Sequence, residues 1–273
     1  MIKMIGLDLD GTTLNKEGKL SQGTKEAFKM AIDKGVHIVV TTGRTFQSLP
    51  EEILTIPQLE YIITSNGAHI TRMKDKSVIY SNCISPVAIQ KLVPIFVKEG
   101  YSIEAFTGGR AYMDEEEFNY FRTAKESYRS IDYILKTRNP VKNLFSFVLE
   151  HKAEIENINI NFEDLKDKAR AYPLLKEVPG ITITSSFVHN WEIGGESTSK
   201  GNALKALGNM LGIDVGESLL AAGDSPNDIS MIKMAKIGIC VENGTEDTKM
   251  AADYIYPAND KDGVAKAIMD FVI

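Results

Sequence analysis

Two aspartates that lie two positions apart, Asp8 and Asp10, end the first apolar segment of the chain, which starts at Ile2 and stops at Gly11. A short apolar run that ends at a glycine turn is typical of a buried strand in a parallel sheet, and ligands bind at the carboxyl ends of such strands. On an extended chain both carboxylates face the same side, where they repel each other unless a divalent cation is bound. An Asp-Gly turn alone would explain Asp10 but not Asp8, so we expect a functional site here.

Further oxygen ligands follow a later apolar segment, within residues 223–228. Because a parallel sheet brings the carboxyl ends of its strands to one edge, we expect Asp8 and Asp10 to share a metal with Asp224. A set of oxygen ligands without histidine or cysteine suits Mg²⁺.

Two other segments offer groups suited to a phosphate. Thr42 supplies a hydroxyl and Gly43 an unhindered N–H just after the apolar segment 36–40. Lys200 supplies a positive charge at the predicted start of a helix, where anions already bind well.

Each of these clusters has a simpler explanation when it is taken alone. Residues 42–44 could form an ordinary strand-to-helix turn, and Lys200 could be a solvated lysine at a helix start. Asp224 could belong to a turn, while Asn227 or Asp228 could cap the next helix. The functional interpretation is favoured because all of them fall at one edge of one predicted sheet, beside an acidic pair that is otherwise unexplained.

The elements that must position these groups alternate between strand and helix on both sides of a long middle segment. Buried strands are predicted at residues 36–40, 61–64, 218–222 and 237–241, in addition to the first one. Helices are predicted at 21–34, 200–211 and 263–271, and a hairpin at 68–72 and 77–81. This alternation predicts right-handed βαβ units and a parallel sheet.

The middle segment instead shows the apolar–polar alternation of strands with one wet face, which indicates an antiparallel sheet with helices on its other face. Strands are predicted there at 101–107, 144–149, 181–185 and 187–193, and helices at 86–99, 114–127 and 161–176. Pro94 should kink the first of these helices. We expect an inserted second domain at residues 84–188, with residues 1–83 and 189–273 forming the first domain.

Composition narrows the possible partners. The chain has 31 basic and 37 acidic residues, a net charge of −6 and no basic block, so a nucleic-acid partner is not expected. No apolar run reaches the length of a membrane span, and the two cysteines suggest neither a disulfide nor a zinc site. We expect a cytoplasmic protein that is a monomer or a weak homodimer.

The motifs resemble those of a known family. Residues 8–12, Asp-Leu-Asp-Gly-Thr, look like the first motif of the haloacid dehalogenase superfamily of phosphohydrolases. Residues 42–44, Lys200 and residues 223–228 resemble its other three motifs, in the same order. The large insertion between the second and third motifs resembles the Cof-like subfamily, which carries an α/β cap there. Two small departures, Ser225-Pro226 and Val241-Glu242, leave the acidic residues intact.

The resemblance implies an α/β fold, with a Rossmann-like parallel-sheet core and an inserted α+β cap domain. It also implies a two-step phosphoryl transfer in which Asp8 is the nucleophile and Asp10 the general acid and base. The metal would be held by Asp8, the backbone carbonyl of Asp10, Asp224 and, directly or through water, Asp228. The phosphoryl oxygens would be held by Thr42, Gly43, Lys200 and Asn227.

We therefore expect a Mg²⁺-dependent phosphatase of small phosphorylated metabolites, with sugar phosphates favoured. One alternative is a phosphotransferase or mutase, which passes the phosphoryl group to another hydroxyl instead of water. Another is a metal-dependent phosphoacceptor or phospho-ligand-binding module without turnover. A module of that kind needs only an aspartate and its metal, whereas a separate acid–base residue, Asp10, and a large cap favour turnover.

Overall fold

The computed structural model describes residues Met1–Ile273, which divide into two compact units. The first unit contains residues 1–43, 49–81 and 199–273, and the second contains residues 44–48 and 82–198. No helix in the structure has both the length and the apolar character that crossing a bilayer requires.

The first unit is built on an eight-stranded sheet in the order β14-β13-β12-β1-β2-β3-β4-β5. Its strands are β1 (Met4–Leu7), β2 (His37–Thr41), β3 (Tyr61–Thr64), β4 (His69–Arg72), β5 (Ser77–Ser81), β12 (Leu219–Gly223), β13 (Ile237–Val241) and β14 (Tyr254–Tyr256). The strands from β14 to β3 are parallel, and β4 and β5 extend the sheet as an antiparallel hairpin. The predicted parallel core and the predicted hairpin are confirmed.

The helices of this unit are α1 (Gln22–Asp33), α2 (Glu51–Leu54), α8 (Lys200–Leu211), α9 (Val215–Ser218), α10 (Ile229–Met234), α11 (Glu246–Ala251) and α12 (Gly263–Phe271). The side chain of Ser21 caps α1, and α8 begins after Ser199 and ends at Gly212 with φ +69°. Apolar residues of α8 and α10, such as Leu204 and Met231, pack in one buried cluster with residues of the central strands. Helices on a largely parallel sheet give the expected α/β architecture.

The second unit is built on a six-stranded sheet in the order β10-β11-β9-β6-β7-β8, in which only β7 and β8 are parallel. Its strands are β6 (Ser102–Thr107), β7 (Arg110–Asp114), β8 (Arg138–Val141), β9 (Ile155–Asn161), β10 (Ile181–Thr184) and β11 (Asn190–Gly195). Its helices are α3 (Pro86–Glu99), α4 (Glu115–Thr123), α5 (Ile131–Thr137), α6 (Leu144–Glu150) and α7 (Leu165–Lys176). Pro94 lies inside α3, which continues past it.

One face of this second sheet is apolar and the other is polar. Ile103, Ile158 and Ile160 share a buried cluster with residues of α3, α6 and α7, as the alternation predicts. The opposite face carries Glu104 and Asn159, and both are buried. The polar face is therefore not wet, which differs from the prediction, and its polar groups need partners.

One prediction for the middle segment is wrong, and strand β9 was not predicted. Residues 144–149 form helix α6 rather than a strand, because Leu144 and Val148 bury one face at a helical spacing and the side chain of Asn143 caps the first turn. Residues 155–161 form β9, the strand between β6 and β11, which the sequence analysis did not find.

The division of the chain also differs from the expected one. Strand β11 pairs with β9 and β10, so its residues belong to the second sheet. The first unit resumes at Ser199 rather than at residue 189, and the short segment 44–48 groups with the second unit.

Candidate active site

Three carboxylates meet at the carboxyl ends of two neighbouring strands. Asp8 follows β1 and Asp224 follows β12, and these strands are parallel with Leu7 opposite Ala222. Asp228 joins them from the turn after Asp224, and one carboxylate oxygen from each residue lies within 4.8 Å of the others. The predicted grouping of Asp8 with Asp224 is therefore what the structure contains.

Lys200 connects two of these carboxylates. Its ammonium Nζ lies 2.6 Å from Oδ1 of Asp8 and 2.6 Å from Oδ1 of Asp228. The side chain is fully buried although it sits at the first position of α8, whose start is capped by Ser199. The interpretation of Lys200 as a solvated lysine is wrong, because its side chain is buried. A buried ammonium requires charged partners of this kind.

Hydrogen bonds from nearby residues also fix the carboxylates of Asp224 and Asp228. Thr12 donates from Oγ1 to Oδ1 of Asp224 at 2.9 Å, and Ser225 donates from Oγ to its Oδ2 at 3.0 Å. The backbone N–H groups of Asp224 and Ser225 both donate to Oδ2 of Asp228 at 3.0 Å. Both oxygens of Asp228 are thus engaged by the protein, since Oδ1 accepts from Lys200.

Negative charge exceeds positive charge in this cluster. Burial raises the pKa of Asp8 well above its ordinary value, and the nearby carboxylates of Asp228 and Asp224 raise it further against the attraction of Lys200. Burial and the charge of Asp228 also raise the pKa of Asp224, to about 6. Burial alone would lower the pKa of Lys200, but Asp228 and Asp8 outweigh it and the pKa is raised. With all three carboxylates ionised, the group carries two more negative charges than the single ammonium of Lys200 balances, and the raised pKa values reflect this excess.

These residues fit a divalent cation. The groups that could ligate an ion are all carboxylate oxygens, the donor type that hard cations such as Mg²⁺ and Ca²⁺ take. A 2+ charge would balance the excess negative charge of the three carboxylates and favour their ionised forms.

The backbone at Gly11, with φ +78°, passes close to the same group. An added Cβ at this position would lie 2.6 Å from Oδ2 of Asp224, so the position requires glycine.

The predicted phosphate-binding residues lie at the same sheet edge. Thr42 is buried just beyond the end of β2, beside β1. Asn227 is buried in the turn between Asp224 and Asp228, and its Nδ2 donates to Oδ1 of Asn66 at 3.0 Å. The backbone N–H of Asn66 in turn donates to the carbonyl oxygen of Thr42 at 3.0 Å. Asn66 thus links two of the predicted residues.

Two other predicted site residues, Asp10 and Gly43, lie outside the contacts described above. The side chain of Asp10 is exposed and lies outside the group of three carboxylates, and Gly43 is half-buried directly after Thr42. Their roles as general acid–base residue and as phosphoryl ligand stay predictions.

The sequence analysis missed Thr12 and Asn66 as partners of site residues. The signals were present, because Thr12 belongs to the first motif and Asn66 lies two positions after the strand at residues 61–64. Neither residue type points to a hydrogen-bond partner that lies 212 or 161 positions away along the chain.

Comparison with known proteins agrees with this fold and site. Residues 5–268 match the family model of the haloacid dehalogenase-like hydrolases. Phosphatase YwpJ of Bacillus subtilis (strain 168) is 30% identical over 280 residues, which cover 97% of this chain and 98% of the relative. A second relative from that organism, the 5-amino-6-(5-phospho-D-ribitylamino)uracil phosphatase YcsE, is 30% identical over 272 residues, 100% of this chain and 96% of the relative.

Among solved structures, a haloacid dehalogenase-like hydrolase from B. subtilis superimposes with a TM-score of 0.84 at 26% identity, over 99% of this chain and 100% of that one. The sugar phosphatase BT4131 shares the fold, with a TM-score of 0.82 at 24% identity over 99% of this chain and 100% of that one. The chain belongs to the haloacid dehalogenase-like hydrolases, within the Cof-like group. It is an enzyme, a phosphoric monoester hydrolase of that superfamily.

Proposed function

We propose that this phosphatase depends on Mg²⁺ and hydrolyses small phosphorylated metabolites, with sugar phosphates as the favoured class. The observation that carries the proposal is the group of Asp8, Asp224 and Asp228, in which Asp8 and Asp228 are buried against the single ammonium of Lys200 and Asp224 is half-buried. A purely structural cluster would balance its charge, whereas this one suits a divalent cation and an anionic substrate.

In the proposed reaction, a carboxylate oxygen of Asp8 attacks phosphorus while the bond from phosphorus to the leaving oxygen breaks. Asp10 donates a proton to that oxygen, so an alcohol departs and an aspartyl phosphate remains on Asp8. Asp10, now ionised, takes a proton from a water molecule that attacks phosphorus, and the bond between phosphorus and Asp8 breaks. Inorganic phosphate is released and both residues regain their first protonation states.

The remaining predicted residues hold the charged groups in place. Asp8, the backbone carbonyl of Asp10 and Asp224 would ligate the metal ion, with Asp228 directly or through water. When bound, the ion neutralises charge between an anionic nucleophile and an anionic phosphate. The phosphoryl oxygens would be held by Thr42, Gly43, Lys200 and Asn227.

The second unit contributes none of the residues assigned to chemistry, and we propose that it recognises the leaving group. Asn157 on its polar sheet face is 1% exposed, yet neither its Oδ1 nor its Nδ2 has a hydrogen-bond partner. A buried amide in this state favours a ligand that both donates and accepts, as a sugar hydroxyl does. The substrate in the name of the relative YcsE carries a phosphorylated ribityl chain, which is also rich in hydroxyls.

We also propose that the protein acts in the cytoplasm.

The test is a screen of phosphorylated metabolites for released inorganic phosphate, in Mg²⁺ and in a chelator. We expect turnover that the chelator abolishes and Mg²⁺ restores, while Ca²⁺ supports it poorly because its coordination is looser. Asp10→Asn should slow turnover by roughly 10²–10⁴-fold, the usual contribution of general acid–base catalysis. Asp33→Asn, an exposed substitution at the end of α1, is the matched control. Full turnover in the chelator would overturn the metal assignment.

A further inference from the structure

A loop outside the recognised motifs, Ser65–Gly67, has an unusual backbone. Its three consecutive residues all have positive φ, with values of +50° for Ser65, +58° for Asn66 and +101° for Gly67. Asparagine and glycine tolerate this region, but serine rarely adopts it. Strained backbone of this kind persists only where surrounding contacts hold it, and it concentrates at functional sites.

The contacts of this loop converge on the residues assigned to phosphoryl binding. The backbone N–H of Asn66 donates to the carbonyl of Thr42, and its side-chain Oδ1 accepts from Nδ2 of Asn227. At Gly67 an added Cβ would lie 2.2 Å from the carbonyl oxygen of Ser199, the residue before Lys200. This loop of three residues therefore contacts Thr42 and Asn227, which are two of the four predicted phosphoryl-binding residues. It also lies beside a third, Lys200.

The side-chain pair between Asn66 and Asn227 is incompletely satisfied. Asn66 is 3% exposed and Asn227 is 7% exposed. Nδ2 of Asn66 and Oδ1 of Asn227 have no hydrogen-bond partner. Burying an unpaired donor and an unpaired acceptor is costly, so packing alone does not account for two amides at this place.

We propose that Asn66 is a positioning residue for phosphoryl binding, and this inference rests on the proposed function. Asn66 accepts one N–H of the Asn227 amide and so fixes the rotation of that amide, which leaves its second N–H for an oxygen of the phosphoryl group. The strained backbone and the bond to Thr42 hold Asn66 itself in place. Asn66 acts through Asn227 and takes no part in bond making or breaking.

The test is a double-mutant cycle of Asn66→Gly and Asn227→Ala. Glycine accepts the φ of +58°, so Asn66→Gly removes the side chain without adding backbone strain. Hydrolysis of p-nitrophenyl phosphate and competitive inhibition by inorganic phosphate are measured for all four proteins. Gln58→Gly is the matched control, because Gln58 is an exposed residue with φ +64°.

We expect Asn66→Gly alone to lower kcat/KM about 3- to 10-fold, the usual effect of losing one hydrogen bond, and to raise the inhibition constant of phosphate by a similar factor. In the Asn227→Ala background the same change should have almost no further effect, because coupled residues are not additive. The inference is overturned if Asn66→Gly leaves kcat/KM unchanged, or if its factor is the same in both backgrounds.

Thermal melting of each variant separates loss of fold from loss of function. If Asn66→Gly does not fold, Asn66→Asp replaces it, since aspartate tolerates this backbone and keeps the Oδ1 acceptor. Asn227→Ala should then still lower kcat/KM by its wild-type factor in the Asn66→Asp protein, and loss of that effect would overturn the inference. If the wild type neither releases nor binds phosphate, the proposed function itself fails.

Discussion

Each unit of the chain buries a cluster of charged side chains, and the two clusters differ in charge balance. In the first unit, three carboxylates surround the one ammonium of Lys200. In the second unit, the carboxylates of Glu104 and Glu117 pair with the guanidinium groups of Arg129 and Arg138, so that two negative charges face two positive ones.

The charged groups of the cluster in the second unit are paired with one another. Arg138 forms a two-pronged pair with Glu104, at 2.9 Å from Nε and 2.8 Å from a terminal nitrogen, and Nδ2 of Asn159 donates to the same carboxylate at 3.1 Å. Arg129 also contacts Glu117 at 3.0 Å. Although burial opposes it, the attraction of the two arginines lowers the pKa of Glu104 to about 2.

The pKa of Asp8 moves in the other direction, because burial and neighbouring carboxylates raise it. Two buried carboxylates therefore differ in what surrounds them. Balanced, fully paired charge is what a structural ion cluster needs, whereas uncompensated charge requires a ligand. This difference supports a structural role for Glu104 and the proposed catalytic role of Asp8.

The largest expected effect comes from Asp8→Asn. If Asp8 is the nucleophile, phosphate release should fall roughly 10⁴-fold or more. Stability should not fall in a chelator, because the change removes one of several repelling charges while an amide oxygen can still accept from Lys200. Phosphate release and urea unfolding check both parts. Near-native turnover would show that the nucleophile is misassigned.

Glu104→Gln should have the opposite effect, because it should change stability rather than phosphate release. It leaves Arg129 and Arg138 buried without their carboxylate, so the free energy of unfolding should fall by about 3–5 kcal/mol. Urea unfolding measures this change, with Glu150→Gln, an exposed substitution at the end of α6, as the control. A change no larger than that of the control would remove the structural role assigned to Glu104.

Mg²⁺ should stabilise only the first cluster. At about 100 times its dissociation constant, a ligand that binds only the folded state adds about 2.7 kcal/mol to the free energy of unfolding. We expect Glu104→Gln to keep this increment and Asp224→Asn to lose most of it, in urea unfolding with and without Mg²⁺. An increment that survives in Asp224→Asn would place the ion elsewhere.

The smallest expected effect is a dependence on pH. The pKa of Glu104 is about 2 in the folded protein and ordinarily 4.5, so its stabilisation is complete above pH 4.5 and is lost as the pH falls towards 2. The difference in stability between wild type and Glu104→Gln should therefore be smaller at pH 3.5 than at pH 7, by about 1 kcal/mol. A difference that stays constant over this range would contradict the lowered pKa.

Much of the first unit could be predicted because its signals are local. Apolar runs ending at Gly11 and Gly223 mark strand ends, Ser21 and Ser199 mark helix starts, and Gly212 marks a helix end. The second unit was harder to predict, because a short apolar run such as residues 144–149 fits a strand or a helix equally well. Its structure is decided by which neighbours cover it, and Leu144 and Val148 turn out to face the apolar cluster beneath the sheet.

The sequence by itself determined the residue types of the site, their order along the chain and the parallel sheet whose edge collects them. Only the tertiary structure decided that Lys200 is buried between Asp8 and Asp228, that Asn66 pairs with Asn227, and that Glu104 is paired with two arginines. The physical reason is that desolvation and charge pairing depend on what packs around a group in space. An aspartate, a lysine or an asparagine in the sequence does not carry that information.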